Sequence, residues 1–258
     1  MLRWNNNSAD VSGNVKTSAG CRKRKWQRMN KRKRKISMNV FDILGPVMIG
    51  PSSSHTAGAA RIGLVTRALL GKTPVKAHIF LHGSFAKTYK GHGTDKALVA
   101  GILGMQTDDY QIADSFEIAA QRGMEVAFGE ARLEEAHPNT AVICLNGISG
   151  KQTEVQISSI GGSRISIDKI DGINTGFSGE CPTLIVHNID QPGCIVAVTS
   201  MLAKKNVNIA TMQVYRSAKG QQAVMVVECD QLIPEDGIVW LAGVEGVQKV
   251  TYFPGLTA

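Results

Sequence analysis

The stretch "TLIVHNIDQPGCIVAVTSMLAKKNVNIATMQVYRS", residues 183–217, runs from an extended apolar segment through a tight turn into a helix and out into a second extended segment. Residues 183–189 read as a strand, and Asp190-Gln191-Pro192-Gly193 ends it with residues suited to reversing the chain. Residues 194–205 read as a helix, and 207–216 and 221–229 as strands. A second helix is expected at 234–242, where Pro234 stands near the N-terminus and its missing N–H costs nothing; a last strand is expected at 247–253. The order βαββαβ predicts a ferredoxin-like sheet with two helices on one face.

Ahead of this unit, "DGINTGFSGE" at 171–180 is Gly-rich and has no apolar period. It reads as a connection, so the domain boundary is set at 171–182, with a C-terminal domain at 183–258. Residues 152–159 and 164–169 alternate around Ile160-Gly161-Gly162-Ser163, a β-hairpin signal. Residues 57–70 place Ala60, Leu64, Val65, Ala68 and Leu69 at helical spacing, and Gly71 and Pro74 end the pattern. Strands are expected at 75–82, 125–131 and 140–145, helices at 95–103 and 114–122, and a loop at 90–95. Residues 38–170 are therefore expected to form an α/β sandwich, and the whole chain an α/β (α+β) protein of two domains.

The 258 residues are 43% hydrophobic, enough to bury a real core. The net charge of +8 lies almost wholly in the first 37 residues, where twelve Lys or Arg stand against one Asp. From Met38 onward seventeen basic residues face twenty acidic ones, so the remainder is mildly acidic. The leader 1–37 is rich in Asn, Ser and charge, cannot offset its ordering entropy, and is expected to be disordered. A basic tail of this kind suits nucleic acid or a nuclear address; a dispensable or over-extended start is the favoured reading, because apolar patterning begins abruptly at Met38. The leader has no apolar core of a secretory signal, and no apolar run reaches membrane-spanning length. Five scattered Cys, mostly inside apolar runs, fit free thiols in a reducing cytoplasm.

Two strings carry candidate chemistry. "GPSSSHTAG", residues 50–58, packs three serines, His55 and Thr56 just ahead of a helix. Ser52, Ser53, Ser54 and Thr56 can supply helix caps and hydrogen bonds to a carboxylate, and His55 can move a proton. One serine capping the helix while the others face solvent accounts for the string as well. In "KTYKGHGTDKA", residues 87–97, His92 lies between two glycines, with Thr94 or Asp95 capping the next helix. An imidazole titrates near neutrality and can serve as acid or base. A flexible loop histidine is the alternative.

"MNVFDILGPVMIGPSSSHTAGAARIG", "HGSFAKTYKGHGTDKAL" and "ISSIGGSRISI", with the C-terminal βαββαβ unit, resemble the serine dehydratase beta chain family from Met38 to the end. The family resemblance implies a beta-chain domain of the allosteric substrate-binding type followed by an ACT domain. It implies elimination of water from L-serine to give pyruvate and ammonia, in a cytoplasmic, gluconeogenic setting, without pyridoxal phosphate. It also implies a [4Fe-4S] cluster; the chain has no Cys-x-x-Cys, so the cluster is expected on a partner alpha subunit, with no metal site here. His55 and His92 are expected to reach that site across the interface, one as base for the Cα proton and the other orienting L-serine, the assignment open. Ser52, Ser53, Ser54, Thr56, Thr94 and Asp95 are the expected substrate contacts.

By the same resemblance, Asp190, Gly193 and Asn208 are expected to form an ACT ligand site, and the ACT domain to self-associate. A ligand-free turn explains Asp190-Gln191-Pro192-Gly193 equally. Ser163 stands where the family often has a third Gly, which weakens a close-approach role for that turn. The rival functions are a purely regulatory amino-acid-binding subunit, since the N-terminal part also resembles the allosteric domain of some phosphoglycerate dehydrogenases, and a nucleic-acid-binding protein using the leader. The favoured reading has no nucleic-acid or membrane partner.

Overall fold

The structure, a computed structural model, describes residues 48–256; the leader 1–37 and most of the apolar run 40–49 lie outside the described residues. The first helix, α1 (Gly58–Leu70), grows directly out of a π-helical turn, Ser53–Ala57, and Gly71 ends it at φ 64°. β1 (Pro74–Leu81) leads into a short helix α2 (Gly83–Thr88), then α3 (Thr94–Leu103) and α4 (Ser115–Gln121), the last preceded by a 3₁₀ turn at Tyr110–Asp114. β2 (Glu125–Glu130) returns parallel to β1, as a helical crossover permits.

β3 (Thr140–Gly147), β4 (Gln152–Gly161), β5 (Arg164–Ile170) and β6 (Ile173–Phe177) then add antiparallel, giving the order β2-β1-β3-β4-β5-β6. Two stretches differ from the sequence reading. Residues 83–88 are helical, too short a segment to show a period. The connection at 171–182 holds β6, whose Thr175 and Phe177 are buried while Gly176 turns out at positive φ.

β7 (Thr183–Ile189), β8 (Ile209–Arg216), β9 (Gln222–Cys229) and β10 (Val247–Phe253) form the second sheet, antiparallel throughout in the order β10-β7-β9-β8. α5 (Cys194–Lys204) and α6 (Glu235–Ala242) complete the expected ferredoxin-like βαββαβ unit. Alternate side chains of the second sheet's strands serve two cores. Leu184, Val186, Met225 and Val227 join Val198, Met201, Leu202 and Leu241 in one cluster. Ile185, Val224, Val226 and Phe253 point the other way, into the cluster that also holds Ile62, Val65, Ile157 and Ile167. The first sheet's core and the back of the second sheet are thus one apolar body.

Candidate active site

The two histidine strings meet. α1 and α3 lie close because each puts glycine at the crossing: a Cβ on Gly101 would stand 2.0 Å from the Ala60 carbonyl oxygen, and one on Gly63 2.4 Å from that of Leu98. The turn ahead of α1 carries His55 and the loop ahead of α3 carries His92, so close helix packing brings the imidazoles together. Their ring centroids are 4.9 Å apart at an interplanar angle of 60°. Thr56 Oγ1 ties the strings by donating to the His92 carbonyl at 3.0 Å.

His55 is held on all sides. Its backbone N–H donates to Ser52 Oγ at 3.1 Å, the cap that starts the turn. Nδ1 lies 3.0 Å from Ser54 Oγ, and Nε2 lies 3.1 Å from Ser84 Oγ. Phe85, fully buried, meets the ring edge-on with centroids 5.4 Å apart. Burial pushes the His55 imidazole below its ordinary pKa, and neighbouring His92 pushes it the same way.

Ser53 enters through its carbonyl, which accepts from the Gly58 N–H and from Ser163 Oγ. Thr94 opens α3 fully buried, with its Oγ1 unpartnered; the buried Nδ1 of His92 is unpartnered as well. Buried polar groups are normally satisfied, so these two unpartnered atoms mark the site out from its surroundings. Neither Thr94 nor Asp95 caps α3 as expected: the cap position is Gly93, in the left-handed region and with no side-chain bond, and Asp95 accepts from the N–H of its neighbour Lys96 at 2.8 Å.

Sequence reading missed Ser84 and Phe85. Both lie inside the string "HGSFAKTYKGHGTDKAL", but nothing local to them points at an imidazole 29 residues upstream.

The second expected site is less gathered. Gly193 precedes α5 at φ 102°, a conformation that suits glycine. Asp190 is engaged within its own unit, accepting from the Gly220 N–H at 3.0 Å and from Arg216 at 3.3 Å, contacts that hold its carboxyl below the usual range. Asn208 precedes β8, at the far end of that strand from Arg216, and donates to Asp230 at 2.6 Å. A single chain therefore leaves Asp190 and Asn208 at opposite ends of the sheet.

Among the described residues no three His, Cys, Asp or Glu side chains converge as a metal would require. Burial mainly pushes the thiols of Cys144 and Cys229 up to about 11. Among the described residues, the thiols do not gather into a set that could hold an iron-sulfur cluster. Among the described residues, no helix is long and apolar enough to cross a membrane.

The family model for the serine dehydratase beta chain matches residues 39–123, and that for the ACT domain matches residues 183–238. The chain is 44% identical over 216 residues to the probable L-serine dehydratase beta chain of Bacillus subtilis (strain 168), a match covering 83% of this chain and 96% of that one. It is 38% identical over 215 residues to the L-serine dehydratase beta chain of Peptoniphilus asaccharolyticus, covering 83% of this chain and 97% of that one. The D-3-phosphoglycerate dehydrogenase of Methanocaldococcus jannaschii is 25% identical over 203 residues, 78% of this chain but 38% of that protein.

Proposed function

The chain belongs to the serine dehydratase beta chain family, and from that premise we propose that His55 and His92 serve the elimination of water from L-serine in an active site completed by an alpha chain. The reaction removes the Cα proton and the β-hydroxyl as water; the aminoacrylate left behind hydrolyses to pyruvate and ammonia. One observation carries the reading: two imidazoles in edge contact at 4.9 Å, ringed by serine hydroxyls.

His55 is assigned as the proton acceptor. A base must be unprotonated, and burial, then the neighbouring imidazole, lowers this ring's pKa and so favours its neutral form. Ser54 at Nδ1 and Ser84 at Nε2 together fix the ring's rotation. His92 is assigned to orienting the substrate, supported by its unpartnered Nδ1 and by the unpartnered Thr94 hydroxyl two residues on. Ser52, Ser53, Ser54 and Thr56 shape this pocket as a cap and carbonyl supports more than as direct contacts, and Asp95 bonds to the N–H of its neighbour Lys96.

A [4Fe-4S] cluster on the alpha chain would supply the Lewis acid for the leaving hydroxyl. The setting is cytoplasmic breakdown of serine feeding gluconeogenesis. Division of labour falls between residues 38–170, which carry the histidines, and the ACT domain at 183–258. Self-association through the ACT helices is supported by the exposed Ile195, Val196, Val239 and Trp240. The Asp190–Gly193 turn would take an amino acid only where a second copy brings its own residues to it.

The similarity to a phosphoglycerate dehydrogenase over most of this chain favours a second reading, a purely regulatory beta chain. Co-purification with an alpha chain under anaerobic conditions separates the two. His55→Ala is expected to lower pyruvate release at saturating serine by at least about 10²-fold, the scale of a lost general base. His92→Ala is expected to raise KM as well. Full turnover in both variants, with only serine activation altered, establishes the regulatory reading instead.

A further inference from the structure

Resting on the assignment of His55 as proton acceptor, we propose that Ser159 is a positioning residue for that imidazole, acting through the backbone of the turn that carries it. Ser159 lies near the end of β4, fully buried, 105 positions from Ser54 in sequence. Its Oγ donates to the Ser54 carbonyl at 2.9 Å, while its own backbone N–H is anchored to Asn139 O at 2.9 Å.

The turn is the reason this bond matters. In an α-helix the Gly58 N–H would reach the Ser54 carbonyl, four residues back; here it goes to Ser53, five residues back, and the Ser52 carbonyl takes both the Thr56 N–H, four residues on at 2.9 Å, and the Ala57 N–H, five residues on at 3.3 Å. The Ser159 hydroxyl meets the carbonyl from which that helical N–H has been withdrawn. A π turn holds one residue more than the α turn it replaces. Relaxing it rotates the preceding residues about the axis by about 100°, the angle of one helical residue, and would take His55 away from His92 and Ser84.

Gly58 is shaped to the same contact: a Cβ there would stand 2.2 Å from Ser159 Oγ and 3.0 Å from its Cβ. The β4–β5 hairpin adds a second grip one residue earlier. Ser163, at φ 61°, donates to the Ser53 carbonyl at 3.3 Å. Its own carbonyl accepts from Arg61 at 3.1 Å, and the Glu180 carboxylate holds Arg61 in a two-pronged pair at 2.7 and 2.8 Å. Both hydroxyls stop at the backbone of the turn; neither touches an imidazole. They act by fixing where the turn can point.

The test uses the anaerobically co-purified pair of chains with Ser159→Ala. The expected result is a 10- to 100-fold lower kcat, of order the cost of a misplacement near 1 Å, with KM for L-serine within about threefold. The acid limb of the pH–rate profile is expected to rise toward the free imidazole value of about 6.5 as the ring becomes more solvated. Loss of packing alone would lower the melting temperature and leave that limb in place. If Ser159→Ala does not assemble, Ser159→Cys, close in size but a weaker donor, must show the same two changes to a smaller degree.

His55→Ala run in parallel separates the two claims. If that variant is inactive while the Ser159 variant keeps the parent kcat and acid limb, the positioning role is wrong and the assignment of the base stands. If His55→Ala turns over normally, both fall.

Discussion

At the scale of single residues, His55 sets a pH dependence whose sign can be worked out. Its folded pKa is below the free value because burial, and then the neighbouring His92, disfavour the cation. In the proposed role of base it works while neutral, so kcat/KM should hold as pH falls past about 6.5 and drop only through the lowered value. His92→Gln removes the second potential cation and should move that acid limb upward, which a pH–rate profile reads directly; an unmoved limb would mean the two rings do not sense each other. Folding follows the same ring. Between the unfolded and the lowered folded pKa the unfolded state binds more protons, so stability falls as pH falls through that window. Denaturant midpoints at about pH 7.5 and 5.5 should separate more for the parent than for His55→Gln. The histidines were legible because each sits in a dense polar string, His55 among hydroxyls and His92 between glycines. Ser84 and Ser159 were not, since what makes each of them matter is a partner brought by a distant strand or helix.

At the scale of elements, the distance between the imidazoles is set by how closely α1 and α3 approach. Gly63 and Gly101 face each other across that crossing, where a Cβ on Gly101 would also lie 2.8 Å from the Leu64 nitrogen and 2.9 Å from Gly63 Cα. Those obstacles are backbone atoms, which cannot swing aside. Gly101→Ala should therefore force the helices apart, costing at least about 1–3 kcal/mol in a denaturation experiment and lowering turnover in the fraction that remains folded. Wild-type stability with full activity would show that the helix approach does not govern the site. The helices themselves were readable from their apolar spacing over thirteen and ten residues. The close crossing was not, because a glycine inside a helical period gives no sign of what packs against it. The six-residue α2 and five-residue β6 were hidden for another reason: neither is long enough to display a period, and each is held by tertiary contacts such as Ser84 N–H to Pro138 O and Thr175 Oγ1 to Ile167 O.

At the scale of the whole molecule, the C-terminal sheet was expected as a separate unit, and its strand order follows from its own sequence. Its position against the rest did not, because unbroken apolar runs such as 184–186 and 223–227 say that both faces are buried without saying by what. The structure supplies the answer: one face takes α5 and α6, the other joins the core of the histidine-bearing part. Polar contacts span the same junction. Ser178 donates to Glu228 Oε1 at 3.0 Å, Tyr215 on β8 donates to the Thr175 carbonyl on β6 at 3.1 Å, and the Ser178 hydroxyl accepts from the N–H of Glu180, the partner of Arg61 on α1. A body built this way should not open in halves. Phe253, 1% exposed, sits on β10 within the shared cluster, and Phe253→Ala should cost about 3–5 kcal/mol, as large-to-small changes in closed cores do. Hydrogen exchange locates where that loss is felt. If the sheets open as one cooperative unit, amides of β3 and of β9 should lose protection together and by similar amounts. Loss confined to β7–β10, with β3 and β4 as protected as in the parent, would mean that the C-terminal unit unfolds by itself and that the shared apolar face contributes little to joining the two.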